Sequence, residues 1–208
     1  MNNFRLEPFL WIHLAGIAVA PLLLLVMGLG LAVGDPLPFY WLELLLVVTV
    51  GILPILWMQW TRPFDIFSIL IVAIKPNSLT PDQRKILTLL KTRKNKIFNT
   101  IAALVLLGIA WQLYHWAPLG AITAQMLPQW RILGLIIAAI AFLLSNLFIQ
   151  IPVSVVGVLL TSQQQWLNTA PYDLEKILKD FTILGLRVNK IFLIPTMPPS
   201  ENLKEETS

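Results

Sequence analysis

The sequence predicts an all-α polytopic membrane protein with four transmembrane helices, both termini in the cytoplasm and two amphipathic cytoplasmic helices. Three observations predict this fold. The 208 residues are 57% hydrophobic and only 12% charged, whereas roughly a quarter of the residues in a soluble domain are charged. Four apolar stretches are long enough to cross a hydrocarbon core of about 30 Å. Residues 75–96 hold seven of the fifteen Lys and Arg residues.

The predicted spans cover residues 9–33, 39–60, 97–116 and 131–151. Basic residues beside a span stay on the cytoplasmic side of the membrane, so the basic interval 75–96 determines the topology. The connections 34–38 and 117–130 contain no Lys or Arg and therefore belong on the far side. Arg5 and the polar residues after position 161 then place both termini in the cytoplasm.

Two short apolar segments remain beside the predicted spans. Residues 63–74 and 152–160 are too short to cross a bilayer, and we expect them to be re-entrant or interfacial. Pro152 is expected to end the fourth helix, because proline removes a backbone donor from the helical ladder.

The polar segments contain the signals of two helices. Thr80 and Gln83 have the spacing of a capping box, with Pro81 at the first helical position. Ile86, Leu87, Leu90 and Ile97 then recur at helical spacing. A second helix is expected to open at Pro171. The predicted cytoplasmic basic surface consists of Arg84, Lys85, Lys91, Arg93 and Lys94.

The order of parts in the two halves of the chain predicts a tandem parallel duplication. At an offset of 91 residues, Gln59 aligns with Gln150 and Asp82 with Asp173. The repeats would be residues 9–96 and 97–190, within a single membrane domain of residues 1–190. Residues 191–208 are expected to form a flexible polar tail.

Glu43 is the acidic residue to explain, because ionisable groups at membrane depth cost energy and are functional candidates. His115 and Arg131 are expected at the same depth, so structural pairing of Glu43 with either is the leading hypothesis. A solvated carboxylate and a proton or ion site are the alternatives. Outside the spans, Arg62 and Asp65 are spaced to pair locally.

His13 and His115 are the candidate cofactor ligands, since neutral imidazole is a common axial ligand. No cofactor is predicted on balance, and chlorophyll or carotenoid binding is kept as an alternative. The chain has no cysteine, which excludes disulfides, thiolate catalysis and Cys-ligated metal sites. We identify no catalytic residue and no metal site.

Several strings resemble a known family: EPFLWIHLAG, GLAVGDP, WLELLLV, WMQWTRPFDIFSILIVAIKP, LTPDQR and SNLFIQIPVSV. They are similar to cyanobacterial proteins named low-complexity-tail membrane proteins. The resemblance implies a cyanobacterial thylakoid or plasma membrane, but it brings no activity and no site residues. The tail here is shorter and less biased than the family name implies.

These observations favour a non-enzymatic accessory or assembly protein that binds membrane lipids and a larger membrane complex, with photosynthetic complexes among the candidates. A small transporter or channel is the alternative, because the halves look repeated, prolines break the spans and Glu43 lies at membrane depth. A pigment-binding protein is a further alternative. Nucleic acid is not expected as a partner, and the oligomeric state is left open.

Overall fold

The computed structural model describes residues 4–69, 71–126 and 128–191, and most of these residues are helical. Four helices are long and apolar enough to cross a membrane: Pro8–Ala32, Tyr40–Thr61, Arg93–Ala124 and Arg131–Leu159. They lie close to the four predicted spans. The predicted tail lies outside the described residues, apart from residue 191.

The α-helices are α1 Pro8–Ala15, α2 Ala20–Ala32, α3 Tyr40–Thr61, α4 Pro81–Leu90, α5 Arg93–Trp116, α6 Ala121–Ala124, α7 Arg131–Leu159, α8 Gln163–Leu167 and α9 Leu174–Asp180. The strands are β1 Ser68–Ile69, β2 Val72–Ile74 and β3 Leu186–Val188. Short 3₁₀ segments join α1 to α2 and α5 to α6. The first span therefore comprises α1 and α2, and the third comprises α5 and α6.

Helix α7 is the central helix of the bundle, because it packs against α1, α2, α3 and α5. Its closest approach to α2 is made by two glycines. A Cβ atom added to Gly30 would lie 2.7 Å from the carbonyl oxygen of Gly134 and 2.9 Å from the backbone nitrogen of Ala138. The two backbones are therefore in direct contact, as small residues permit in membrane bundles.

The expectation that Pro152 ends the fourth helix is wrong. Helix α7 continues through Pro152 to Leu159, so residues 152–159 extend the helix of the fourth span and do not form a separate segment. A proline removes a single donor, and neighbouring packing keeps such helices intact in membrane proteins. Here Pro152, Val155 and Val158 are all buried, so tertiary packing holds the last two turns.

Pro54 lies inside α3, where it disturbs the hydrogen bonds of the preceding turn. The side chain of Asn146 on α7 binds the same turn of α3, since its Nδ2 donates to the carbonyl oxygen of Gly51 at 2.9 Å. Gln150 Nε2 in turn donates to Asn146 Oδ1 at 2.8 Å. Polar side chains buried in the bundle thus satisfy backbone groups and one another.

The all-α prediction is incomplete, because residues 63–74 contain a small hairpin. Strand β1 pairs with β2 in antiparallel fashion, and β2 pairs in parallel with β3 from the far end of the chain. This segment therefore contributes two strands to a three-stranded sheet, and its re-entrant or interfacial position stays a prediction. Its β-branched residues fit this conformation, but the partner strand is too distant in sequence to be expected.

Residues 4–7, 62–69, 71–92 and 160–191 form a layer at one end of the bundle, which we call the cap. The cap has its own hydrophobic core, to which the ends of α1 and α7 contribute. The core residues are Phe4, Phe9, Leu10, Ile66, Phe67, Ile74, Leu79, Ile86, Leu87, Leu89, Leu90, Val155, Val158, Trp166, Ile177 and Phe181.

The predicted capping box of α4 is present. Gln83 N donates to Thr80 Oγ1 at 3.2 Å, and Thr80 N donates to Gln83 Oε1 at 3.0 Å. Ile97 does not continue this helix, because it belongs to α5 and is exposed. The second predicted helix begins at Leu174 behind an Asp173 cap, three residues later than Pro171. The duplication of residues 9–96 and 97–190 stays a prediction.

The glycine contact between α2 and α7 gives a test of the packing. We expect Gly30→Val to destabilise the bundle by about 1–3 kcal/mol, because the added side chain forces two backbones apart. Gly108→Val is the matched control, since no described atom lies within 4 Å of a Cβ at Gly108. Thermal unfolding in detergent measures both, and equal midpoints for the two variants would contradict the contact.

Candidate functional site

Glu43 is buried at the end of the bundle opposite the cap, with a relative exposure of 1%. Its Oε1 accepts from Leu37 N at 2.8 Å and from Arg131 Nε at 2.7 Å. Its Oε2 accepts from Tyr114 Oη at 2.7 Å and pairs with Arg131 Nη2. Both carboxylate oxygens therefore have two protein donors.

Arg131 extends this cluster to the first span. Its Nη1 donates to the carbonyl oxygens of Leu31 at 2.7 Å and Val33 at 2.9 Å. These carbonyls lie at the C-terminal end of α2, where the helix itself supplies no donors. One guanidinium thus links the ends of α2, α3 and α7.

Of the two cations offered as partners for Glu43, the structure brings Arg131 to the carboxylate and leaves His115 on the exposed side of α5. The His115 ring lies against Trp111 with 4.5 Å between ring centroids, and its Nδ1 is 2.9 Å from the Trp111 carbonyl oxygen. Tyr114, which also donates to Glu43, is not among the partners predicted from the sequence. One residue along a helix turns the side chain by about 100°, and this rotation decides between the two neighbours.

This cluster is a charge-neutral, fully hydrogen-bonded network. The Glu43 carboxylate accepts hydrogen bonds from four donors, and all three guanidinium nitrogens of Arg131 donate hydrogen bonds. Such an arrangement is typical of a structural pair that makes a buried charge tolerable. No observation in this cluster favours the transporter hypothesis over structural pairing.

His13 connects the first span to the cap. Its Nδ1 lies 2.9 Å from the Phe9 carbonyl oxygen, and its Nε2 lies 3.1 Å from the carbonyl oxygen of Ser68 in β1. Both ring nitrogens therefore face backbone oxygens. An axial bond from His13 to a pigment would require the ring to leave these contacts. Chlorophyll binding at His115, whose Nδ1 alone contacts the Trp111 carbonyl oxygen, stays a prediction.

A cavity of about 100 Å³ lies beside His13. Its walls are almost entirely apolar and include Phe64, Phe148 and Pro152. Among the described residues, no group of three or more His, Asp or Glu side chains is placed to hold a metal ion.

Three of the five residues predicted as a basic surface make contacts within the cap. Arg84 Nη1 donates to the Tyr172 carbonyl oxygen at 3.1 Å, and Lys85 lies over the Trp166 ring at 5.4 Å. Lys91 pairs with Asp180 at 3.2 Å. The remaining two, Arg93 and Lys94, are exposed at the start of α5. Helix α4 therefore uses its cations mainly to hold the C-terminal part of the cap.

Tyr172 completes this contact by donating its hydroxyl to Asp180. Hydrogen bonds from Tyr172 and Lys91 lower the pKa of the Asp180 carboxyl. Burial and the neighbouring Asp180 carboxylate raise the pKa of Tyr172. At neutral pH the Asp180 carboxyl is therefore ionised and accepts hydrogen bonds, whereas the Tyr172 phenol keeps its proton and donates one. These bonds, with that of Lys91, join the end of α4 to α9.

Asp65 is a fully buried acid in the cap. Its Oδ1 accepts from Phe67 N at 2.9 Å, whereas its Oδ2 has no hydrogen-bond partner among the described residues. Arg62, the expected partner, instead donates to the carbonyl oxygens of Leu178 and Phe181. Burial raises the pKa of Asp65 to about 6.

Glu7 is a second buried acid at the junction between cap and bundle. It lies directly before α1, and Gln83 Nε2 donates to its Oε1 at 3.3 Å. Burial raises the pKa of Glu7, and the hydrogen bond from Gln83 opposes this shift. Gln83 therefore serves both the capping box of α4 and the contact with the first span.

The Glu43 cluster predicts a graded series of stabilities. Glu43→Gln leaves Arg131 buried without its counter-charge, and we expect a loss of about 3–5 kcal/mol. Tyr114→Phe removes one hydrogen bond to the same carboxylate and should cost about 1 kcal/mol.

The neighbouring substitution His115→Gln is the control, because His115 is exposed, and we expect almost no change. Thermal unfolding in one detergent ranks the three variants. A larger loss for His115→Gln than for Tyr114→Phe would refute the assignment of partners.

Asp65 predicts a pH dependence. Its carboxyl ionises near pH 3.8 when unfolded and near pH 6 in the folded cap, so the folded state loses stability as the pH rises between these values. The loss is at most about 3 kcal/mol. Asp65→Asn retains an acceptor for Phe67 N and has no carboxyl group to ionise.

We therefore expect the thermal midpoint of Asp65→Asn, relative to the unmodified protein, to rise between pH 4 and pH 7. Asp35→Asn, at an exposed position, controls for the change in net charge. A difference between Asp65→Asn and the unmodified protein that does not vary with pH would contradict the prediction.

Comparison with protein families matches residues 6–193 to the family described as low-complexity tail membrane protein-like. This match includes all four spans and nearly all of the cap. No curated protein and no solved structure matches the chain. The chain belongs to the low-complexity tail membrane protein-like family.

Proposed function

We propose that this protein is a non-enzymatic accessory or assembly factor, which its four spans anchor in a membrane and whose cap contacts a larger membrane-protein complex. The observation that carries the proposal is the cap itself. It is a folded unit with its own core, and it is larger than the connections that four spans require.

The cap is held on the bundle by contacts with α1, as a docking platform requires. The Nε2 atom of His13 lies 3.1 Å from the Ser68 carbonyl oxygen. Phe9 packs edge-on against Phe67 with 5.4 Å between ring centroids. A rigid surface loses little conformational entropy when a partner binds.

The outer surface of the cap combines exposed apolar and basic side chains. Leu167 and Leu186 are 68% and 74% exposed, and Lys176, Lys179, Arg187 and Lys190 are exposed as well. Isolated apolar residues among cations fit a partner surface that presents acidic groups around small apolar pockets. This surface supports the cap, rather than the lipid-facing sides of the spans, as the docking site.

The finer statements of the proposal come from the sequence resemblance. They are that the membrane is a cyanobacterial thylakoid or plasma membrane, and that photosynthetic complexes are candidates for the partner complex. The cytoplasmic location of the cap comes from the distribution of basic residues.

Photo-crosslinking in native membranes tests the proposal. A benzophenone amino acid at Leu167 in the cap should give a discrete adduct that contains another membrane protein. The same probe at Leu119, which is 83% exposed at the opposite end of the bundle, is the control and should not give that adduct.

The adduct should comigrate with a larger complex on native gels after gentle solubilisation. A protein that always migrates as a monomer or homo-oligomer, with no hetero-adduct at Leu167, would overturn the proposal. An adduct at Leu119 alone would show that the partner contacts the end of the bundle opposite the cap, and would also overturn the proposal.

A further inference from the structure

A groove opens between the end of α3 and the start of α5, at the boundary between the spans and the cap. Its volume is about 410 Å³, and it is lined by Trp60, Arg93, Lys96, Ile97, Thr100 and Ile101. Cationic side chains thus stand over an apolar floor. This order of groups matches the order in a phospholipid, whose phosphate lies above its acyl chains.

A second groove, of about 540 Å³, continues from Trp60 along α3 past Trp57 and Pro54 to Leu53. Trp60 lines both grooves. The seven helical steps from Leu53 to Trp60 correspond to a rise of about 10 Å along the helix. The second groove therefore offers an apolar path for the upper part of one acyl chain.

The cations of the first groove are available for an external anion. Among the described acidic side chains, none forms an ion pair with Arg93 or Lys96. Lys91, two residues before Arg93, by contrast forms an ion pair with Asp180. The positive charges of Arg93 and Lys96 are thus not compensated by any described carboxylate where the groove opens.

The backbone at the start of α5 adds to this positive potential. Thr92 precedes the helix, but its hydroxyl donates backwards to the Leu89 carbonyl oxygen at 2.8 Å, and no side chain caps the helix. The partial positive charge of the helix N-terminus therefore stays exposed beside Arg93. This effect reinforces the two side-chain charges.

We propose that this groove binds one anionic membrane lipid, with the headgroup phosphate at Arg93 and Lys96 and one acyl chain against Ile97, Trp60 and Leu53. Charge complementarity selects an anionic headgroup, and the apolar floor selects a lipid over a soluble phosphate. The site joins the second span to the third, so the bound lipid fills the space between them.

Native mass spectrometry of the purified full-length protein tests the site with two lipids of identical acyl chains, dioleoyl phosphatidylglycerol and dioleoyl phosphatidylcholine. We expect phosphatidylglycerol to bind more tightly than phosphatidylcholine. The double substitution Arg93→Gln with Lys96→Gln should weaken phosphatidylglycerol binding about tenfold or more, since each basic residue near a membrane contributes about one kcal/mol toward an anionic lipid. Binding of phosphatidylcholine should not change.

Arg187→Gln with Lys190→Gln is the matched control, because it removes one Arg and one Lys from exposed positions elsewhere in the cap. It should retain the affinity for phosphatidylglycerol. Thermal midpoints measured without added lipid establish that both double variants are folded. Fluorescence quenching by brominated phosphatidylglycerol gives a second readout, which Trp60→Phe should reduce.

Three results would overturn the site. Equal affinity for the two lipids would show that charge plays no part. Equal weakening by both double variants would show that net charge, and not this groove, attracts the lipid. Displacement of the lipid by an equal concentration of glycerol 3-phosphate would show that the cations hold a soluble anion instead.

Discussion

The pairing of Glu43 with Arg131 is the interaction on which the packing of the spans depends at the end opposite the cap. A hydrocarbon layer offers no partner to a polar group, so the protein itself must supply every partner. Arg131 neutralises the carboxylate and also serves the backbone carbonyls of Leu31 and Val33. The same constraint acts deeper in the bundle, where Asn146 on α7 donates to a backbone carbonyl of α3 one turn before Pro54. Polar residues of the spans therefore bind backbone groups of neighbouring helices and one another.

The cap is stabilised differently, by the burial of apolar side chains between the two halves of the chain. Helix α4, which follows the second span, packs on residues that follow the fourth span, and Arg84 and Tyr172 exchange hydrogen bonds across this contact. Apolar residues of α4 and α9 face into a protein core. An amphipathic pattern beside a membrane is easily interpreted as a lipid-binding face, but here the apolar side is used for folding. The surface left for partners is the opposite one.

Local signals predicted much of this structure. Hydropathy located the four spans because each must be apolar over its whole length, and the capping box located α4 because both of its bonds are formed within four residues. Rotation about a helix axis is not a local signal, so depth reduced the candidates for Glu43 to His115 and Arg131 but did not reveal Tyr114. The small sheet was missed because β3 is far from β1 and β2 in the sequence. The continuation of α7 beyond Pro152 was missed because buried neighbours, and not propensity, sustain it.

The parallel pairing of β2 with β3 has a consequence for how the protein is made. Ala73 is opposite Arg187, and the whole third and fourth spans lie between them in the chain. During translation, β2 therefore cannot pair with β3 until the last two spans have been synthesised. A chain that stops before β3 leaves one edge of β2 unpaired. Closure of the sheet is thus among the last steps in the folding of this protein.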